Sequence, residues 1–376
     1  MRAHIIYYNY LNPEGEGMSI GGIQTYLYNL IPVLRRCGYD VTVYQRSSKD
    51  FHKELDDCDV YGIPHPESFG SRVGKVLLDA AMPHIDLKND LLLYGCETSI
   101  AQRVPCRTVA IQHGIFWDVS KEGTSYLKGY IKKCMNAWKI IERVSKVDQL
   151  VCVDNNFINW HRAITPYPKV KHVFIPNFTA IPPTKPEKQH DGINISFARR
   201  FFPHRGTRLF SNVMERILSN PELSNCQINV TIAGTGPDAD YMHKKLDAFP
   251  QVCFTTFGSD ESLRIHQDKD IAVVPTTGSE GTSLSLLEAM ASGCAVVCTN
   301  VGGMTNIVLG GYNGLMISPD EEELYDALTL LIRDASLRAR LQDNAYICAK
   351  EAFSLERWQA AWEKVIERVK GRRDGI

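Results

Sequence analysis

Two doubly wound α/β domains are predicted by three observations on the 376-residue sequence. The length exceeds the roughly 250 to 300 residues at which a single hydrophobic core stops growing. Short apolar, β-rich runs alternate with longer segments of helical period, the pattern of a parallel sheet covered by helices on both faces. The alternation occurs twice, on either side of "PNFTAIPPTKPEKQHDG" (176–192), which has neither period and reads as an interdomain linker.

In the first half the strands are read at "HIIYY" (4–8), "DVTVY" (40–44), "LLLYG" (91–95), "RTVAIQ" (107–112), "QLVCVD" (149–154) and "VFIPN" (173–177). In the second they are "INISFA" (193–198), "QINVTIAG" (227–234), "VCFTTFG" (252–258), "IAVVP" (271–275) and "CAVVCT" (294–299). From Glu321 onward the sequence has helical period. Its last piece, "SLERWQAAWEKVIERVK" (354–370), puts Leu355, Trp358, Trp362, Ile366 and Val369 on one apolar face that must pack on something. The expected organisation is therefore a domain over 1–177, a second over 178–353 and a terminal helix in 354–376. No internal repeat and no low-complexity segment interrupts it.

Composition limits the partners. The 42 basic and 43 acidic residues leave a net charge of −1, so no whole-chain field draws the protein to nucleic acid or membrane. Eleven scattered cysteines include no C-x-x-C pair, and Cys152, Cys253, Cys294 and Cys298 lie in or beside apolar runs. They read as reduced core residues of a cytoplasmic protein. The N-terminus has no apolar signal region, and no apolar run approaches the 18 residues needed to span a membrane.

Doubly wound domains bind ligands at the carboxyl ends of their strands, so the strand-to-helix loops are the places to search. After strand 271–275 comes "TTGSEGTS", then a helix from about Thr282 to Ser292 that Gly293 stops. Gly281, Thr282 and Ser283 present backbone N–H groups at that helix N-terminus, which suits a phosphate. Glu280 flanks the anion and Glu288 lies deeper in the helix. A carboxylate accepts from two vicinal hydroxyls, so one ligand carrying phosphate and sugar hydroxyls would use the whole set. The competing reading is that Ser285 and Glu288 form an S-x-x-E capping box and only close the helix start. Glu280 has no such explanation.

In "SFARRFFPHRGT" a strand ends at small Ala198, and a short loop carries Arg199 and Arg205, two cations able to clamp a diphosphate. Arg200 is the alternative to Arg199. Gly21 and Gly22 open a helix after a polar loop and let backbone approach a phosphate or sugar; a plain turn is the structural alternative. His113 ends a strand before Gly114.

Together these stretches resemble the retaining glycosyltransferases of family four, whose hallmark reads E-x7-E followed by A-M-A-x-G. "EGTSLSLLE" with "AMASGCAVV", "GGIQTYLYNL" (21–30), "IQHGIFWD" (111–118), "FARRFFPHRG" (197–206), "IAGTGP" (232–237) and "VFIPNF" (173–178) are similar to the family's elements in the family's order. The resemblance covers nearly the whole chain. Two departures are Ala198 and Arg205, where the family usually has glycine and lysine.

The resemblance implies a GT-B fold, two Rossmann-like domains facing across a cleft with the terminal helix crossing back to the first. It implies a nucleotide diphosphate sugar, UDP- or GDP-linked, as co-substrate on the second domain. A saccharide or lipid-linked saccharide acceptor would lie on the first, with transfer retaining anomeric configuration and no further cofactor. Glu280, His113, Arg199 and Arg205 take the catalytic places. Gly21, Gly22, Gly234, Gly281, Thr282, Ser283 and Glu288 contact the donor, with Glu280 at the transferred sugar and Glu288 at the ribose. Backbone around Phe257 and Gly258 would meet the base.

Two lookalikes are set aside. "GTGPDA" (234–239) satisfies the dinucleotide fingerprint but carries Pro237 and lies in the second domain. "DCD" (57–59) and "DKD" (268–270) mimic a D-x-D metal motif without an adjoining histidine or further carboxylate, so no metal is expected.

"YLKGYIKKCMNAWKIIERVSK" (126–146) reads as a helix with Lys128, Lys132, Lys139, Arg143 and Lys146 in one stripe, opposite an apolar face with Trp138 and Ile141. That stripe is a solvated face or a contact with anionic lipid headgroups or a lipid-linked pyrophosphate acceptor. The biological setting that fits is polysaccharide assembly at the inner face of the cytoplasmic membrane. The rivals are an epimerase or phosphorylase on the same fold, or a non-catalytic sugar-nucleotide-binding partner.

Overall fold

Alternation of strand and helix produces two parallel sheets in a computed structural model, which describes residues 1–19, 21–115, 125–165, 170–258, 261–278 and 280–371. The chain divides into two units, Met1–Pro176 with Trp358–Ile376, and Asn177–Arg357, close to the boundaries expected from the linker.

In the first unit the described elements run β1 (Arg2–Ile6), α1 (Gly22–Arg36), β2 (Asp40–Ser47), β3 (Phe51–Glu54), β4 (Asp59–Pro64), α2 (Ser71–Ala81), β5 (Leu91–Tyr94), β6 (Arg107–Gln112), α3 (Tyr126–Val144), β7 (Gln149–Cys152), α4 (Asn155–Ile164) and β8 (Lys171–Phe174). Their sheet order is β3-β4-β2-β1-β5-β6-β7-β8, parallel except for β3, which pairs antiparallel with β4. The central strands are buried on both faces; Leu91, Leu92, Leu93 and Tyr94 of β5 have no exposed surface. That is why they read as continuous apolar runs rather than alternating ones.

Strands β3 and β4 were not expected, because their half-exposed residues lack an apolar run. Charged Lys53 and Glu54 fit β3 to a sheet edge, where charge discourages pairing with another chain. This hairpin corrects the reading of "DCD". It brings ligand atoms of His52, Glu54 and Asp59 within 4.8 Å of one another, so a histidine and a further carboxylate do adjoin Asp59. His52 is accounted for structurally: it lies 3.7 Å from Asp59 Oδ1 and stacks on Tyr61 with ring centroids 4.3 Å apart.

In the second unit the described elements are β9 (Ile193–Ala198), α5 (Thr207–Leu218), β10 (Ile228–Ala233), α6 (Ala239–Leu246), β11 (Val252–Thr255), β12 (Ile271–Val274), α7 (Leu284–Ala291), β13 (Ala295–Thr299), β14 (Leu315–Ile317), α8 (Glu321–Arg333), α9 (Ala335–Ala352) and the start of α10 (Leu355–Lys370). The sheet order is β11-β10-β9-β12-β13-β14, all parallel. Side chains alternate between its faces. Val273 and Val297 join the core under α5, α6 and α8, while Ala272, Val274, Val296 and Cys298 join the one under α7 and α9. Cys152, Cys294 and Cys298 are buried as expected, but Cys253 is exposed, since its end of β11 lies at the sheet edge.

From Trp358 onward α10 belongs to the first unit. Trp358, Trp362, Ile366 and Val369 are buried, whereas Leu355 at its start is only half-buried. Trp362 Nε1 donates to Tyr26 Oη at 2.8 Å, satisfying the indole inside the core.

Candidate functional site

The second sheet reverses direction between β9 and β12. The chain proceeds from β9 outward through β10 to β11, then returns to β12 and proceeds the other way to β14. Such a switch point is where loops leaving the carboxyl ends diverge and admit ligands. The loops there are 199–206 after β9 and 275–283 after β12, so topology brings Arg199, Arg205 and Glu280 together.

Close backbone packing holds the two loops in place. Gly206 has φ +81°, and a Cβ there would stand 1.8 Å from the carbonyl oxygen of Pro275. Thr277 N–H donates to His204 O at 2.9 Å. Gly234, at φ +145°, backs the first loop, where a Cβ would meet Arg199 O at 2.1 Å. This close approach explains the glycine, and the dinucleotide lookalike is a packing element here.

At the centre, Glu280 Oε2 accepts from Arg199 Nη2 at 2.6 Å, from Arg205 Nη1, and from Thr276 Oγ1 at 3.1 Å. Arg199 Nη1 also donates to Thr276 Oγ1 at 2.6 Å. Glu280 is 9% and Arg199 8% exposed, whereas Arg205 is half-buried and Arg200 points to solvent. Burial works against the Glu280 charge, but Arg205 and Arg199 outweigh it and hold the carboxyl below its usual range. Burial likewise lowers the Arg199 pKa against the pull of Glu280; a guanidinium still remains charged at neutral pH. Two cations facing one carboxylate leave a net positive site, able to take a further anion.

The backbone of the second loop rests on residues whose role was not anticipated. Gly303 N–H donates to Glu280 O at 3.1 Å, and a Cβ on Gly302 would stand 2.0 Å from that oxygen. "VGGM" after β13 is another glycine-rich strand-to-helix loop, which is the signal that could have found it. Thr276, one position past β12 and Pro275, could have been found the same way.

Helix α7 begins at Leu284 with Ser283 as N-cap, two residues later than expected. Gly281 is half-buried and Thr282 and Ser283 are 2% exposed. Asn177 Nδ2 donates to Thr282 O at 2.6 Å. The helix closes as expected at Gly293: its φ is +68°, and the bonds Gly293 N to Met290 O and Cys294 N to Ala289 O make a Schellman stop.

The capping-box reading of Glu288 fails. Ser285 lies inside the helix and its Oγ donates to Ala198 O at 2.7 Å, tying α7 to the end of β9. Glu288 Oε1 instead accepts from Ser262 Oγ at 2.8 Å, and burial raises its pKa. Ser262 was not foreseen, since nothing in "SDESLR" distinguishes it. Gly258 N–H donates to Glu261 Oε2 at 3.3 Å in the same connection. Ser259, Asp260 and, in the glutamate loop, Ser279 lie outside the described residues.

In the first unit Gly21 is the N-cap of α1 and Gly22 its first residue. The φ of Gly21, 167°, is extended backbone that any residue adopts. A Cβ there would meet Gln24 Oε1 at 2.4 Å, the far end of a flexible side chain, so the position does not demand glycine. His113 follows β6, and its Nε2 lies 2.9 Å from Gly95 O. Donation from Nε2 leaves Nδ1 unprotonated in the neutral ring. Tyr26 meets the imidazole edge-on at 5.2 Å, and burial lowers its pKa to about 4. The adjoining Phe116, Trp117 and Asp118 of "IQHGIFWD" lie outside the described residues. Glu97, after β5, is a further buried carboxyl that sequence reasoning passed over; it is 1% exposed and burial pushes it up to about 7.

Residues 181–347, which contain Arg199, Arg205, Glu280 and Glu288, match the family model described as glycosyl transferases group 1. An uncharacterized glycosyltransferase of Methanocaldococcus jannaschii is 26% identical over 187 residues, 49% of this chain and 47% of that protein. The chain spans about half the length, or less, of the first curated relatives it matches. Among solved structures, sucrose-phosphate synthase from Thermosynechococcus elongatus superposes with a TM-score of 0.76 at 16% identity, covering 98% of both chains. Anabaena HepE in complex with UDP-glucose superposes with a TM-score of 0.72 at 14% identity, covering 98% of this chain and 100% of that one. The fold is that of these neighbours: α/β, with two parallel-sheet Rossmann-like domains.

Proposed function

We propose that the chain is a glycosyltransferase that moves a sugar, a hexose, from a UDP- or GDP-linked donor to a glycan or lipid-linked glycan. The transfer retains anomeric configuration and needs no resident metal or other cofactor. The observation that carries this reading is the Arg199–Glu280–Arg205 cluster at the switch point, beside the N-terminus of α7 and inside the segment that matches group 1 glycosyltransferases.

The chemistry follows from charge. As the bond from the anomeric carbon to the donor phosphate breaks, negative charge grows on the diphosphate. On donor binding Arg205, the more accessible cation, turns from Glu280 to the diphosphate while Arg199 stays anchored on Thr276, so both are set before that bond breaks. Donors already in place cost no reorganisation as the charge develops. The backbone at 281–283 adds the dipole of α7. Glu280, relieved of one guanidinium, accepts from hydroxyls of the sugar, and Glu288 with Ser262 accepts from the ribose. The acceptor oxygen bonds to the anomeric carbon on the face the diphosphate leaves, and its proton passes to a phosphate oxygen. His113, neutral at pH 7, positions the sugar as a hydrogen-bonding group.

On this reading the enzyme works in the cytoplasm at the inner face of the membrane, building a cell-surface polysaccharide such as O-antigen, capsule or exopolysaccharide. A thermal-shift panel of nucleoside diphosphates and nucleotide sugars tests it. A UDP or GDP sugar should raise the melting temperature without added metal, and NMR of the product should show the donor's anomeric configuration. If no nucleoside diphosphate stabilises the protein, the reading fails; donor conversion without acceptor would favour an epimerase.

A further inference from the structure

Helix α3 presents its apolar side to solvent. Tyr126, Leu127, Tyr130, Ile131, Met135 and Trp138 are between 49% and 89% exposed. The sequence showed an apolar face with Trp138 and Ile141 opposite a basic stripe, without saying which would be covered. The buried side chains of the helix, Ile140 and Val144, lie near its C-terminal end, where Arg143 Nη2 donates to Ser71 Oγ at 3.3 Å. At about 100° per residue, the six exposed apolar side chains fill roughly half the helix circumference. Lys128, Lys132 and Lys139 line one flank, and Glu142 is the only acid in Tyr126–Val144.

We infer that this face of α3 inserts into an anionic lipid bilayer and holds the first unit on the membrane surface. Aromatic residues among the exposed side chains favour this occupant, because tyrosine and tryptophan settle at the boundary between headgroups and acyl chains. The flanking lysines match anionic headgroups, the arrangement of a helix lying in the interface plane. A second copy of the chain fits poorly, since two such helices side by side would bring like-charged flanks together. Among the described residues no helix is long and apolar enough to cross a membrane, so α3 would lie on it. The contact does not depend on which sugar is transferred or on the chain being active.

Flotation of the full chain with vesicles tests this. The wild type should float with vesicles of two parts phosphatidylcholine to one part phosphatidylglycerol and only weakly with phosphatidylcholine alone. Lys128→Gln/Lys132→Gln should weaken binding to the anionic vesicles roughly 30-fold in dilute salt. Leu127→Glu/Trp138→Glu should abolish it with unchanged melting temperature, since both residues are exposed. Vesicle binding should also shift Trp138 fluorescence to shorter wavelength. The proposal is overturned if the wild type fails to float with anionic vesicles, or if either double variant floats as the wild type does. It is equally overturned if Leu127→Glu/Trp138→Glu turns a dimer into a monomer while neither protein binds vesicles.

Discussion

Arg199 and Glu280 meet across two loops 81 residues apart, Nη2 to Oε2 at 2.6 Å, and both are almost fully buried. Neither is tolerable there alone. A buried charge without its partner costs about 3–5 kcal/mol, whatever the net worth of the pair. Arg205 adds a second guanidinium to the same oxygen from a more exposed position, so Glu280 is shared between a fixed cation and a displaceable one.

Glu280→Ala should therefore destabilise the second unit by about 3–5 kcal/mol as well as abolish transfer. Alanine would leave Arg199 without its carboxylate. The pH dependence has a definite sign. The folded pKa of Glu280 is depressed, so its contribution is present above the unfolded value of about 4.3 and is lost as pH falls through the lower folded value. Urea midpoints measured from neutral to acid pH should fall less steeply in the variant than in the wild type.

Arg205→Ala separates function from stability. Arg199 and Thr276 remain on Glu280, so the melting temperature should change little, while turnover falls roughly 100- to 1000-fold. Arg205→Lys keeps the charge but loses the fork, and should recover part of the rate. Steady-state kinetics with the donor identified by thermal shift would check both, and full activity in Arg205→Ala would remove this residue from the mechanism.

His113 should not titrate near neutrality. Burial holds its pKa at about 4, below the usual value of about 6.5. Stability from its neutral form is complete above about 6.5 and is lost as pH falls from there to about 4. NMR of the imidazole protons should show no transition between neutral pH and pH 5. A pH–rate limb near 6.5 should persist in His113→Gln if one exists, because it would belong to another group.

Glu288→Gln distinguishes ligand binding from helix capping. The amide oxygen still accepts from Ser262, and the helix start does not involve residue 288, so stability should change by less than about 1 kcal/mol. Loss of a charged acceptor for the ribose should weaken donor binding by about 10- to 100-fold. Calorimetric titration with the nucleotide sugar against the free nucleobase would locate the loss.

Much of the candidate site was legible because its residues stand at the ends of strands. Buried parallel strands must be near-continuous apolar runs, so the loops beyond them can be located, and Arg199, Arg205, Glu280 and His113 all fall just past such runs. Gly293 likewise announced a helix stop, since glycine adopts positive φ without strain. The partners were less legible. Ser262 is a common residue whose role arises only when distant segments meet, while Thr276 and Gly303 lie in loops past strands that a wider search would have reached.

Local sequence, then, determined where strands, helix stops and charged loops occur, because apolar period and backbone freedom are properties of neighbouring residues. Strand order was decided only in three dimensions, and with it the meeting of Arg199, Arg205 and Glu280 at the β9–β12 switch point. So was the fate of Glu288, whose spacing from Ser285 suits a cap but whose carboxylate turns to Ser262. Amphipathic period in α3 announced two faces without saying which would be covered. That depends on what the rest of the chain brings against the helix, and here the side chains it buries are Ile140 and Val144.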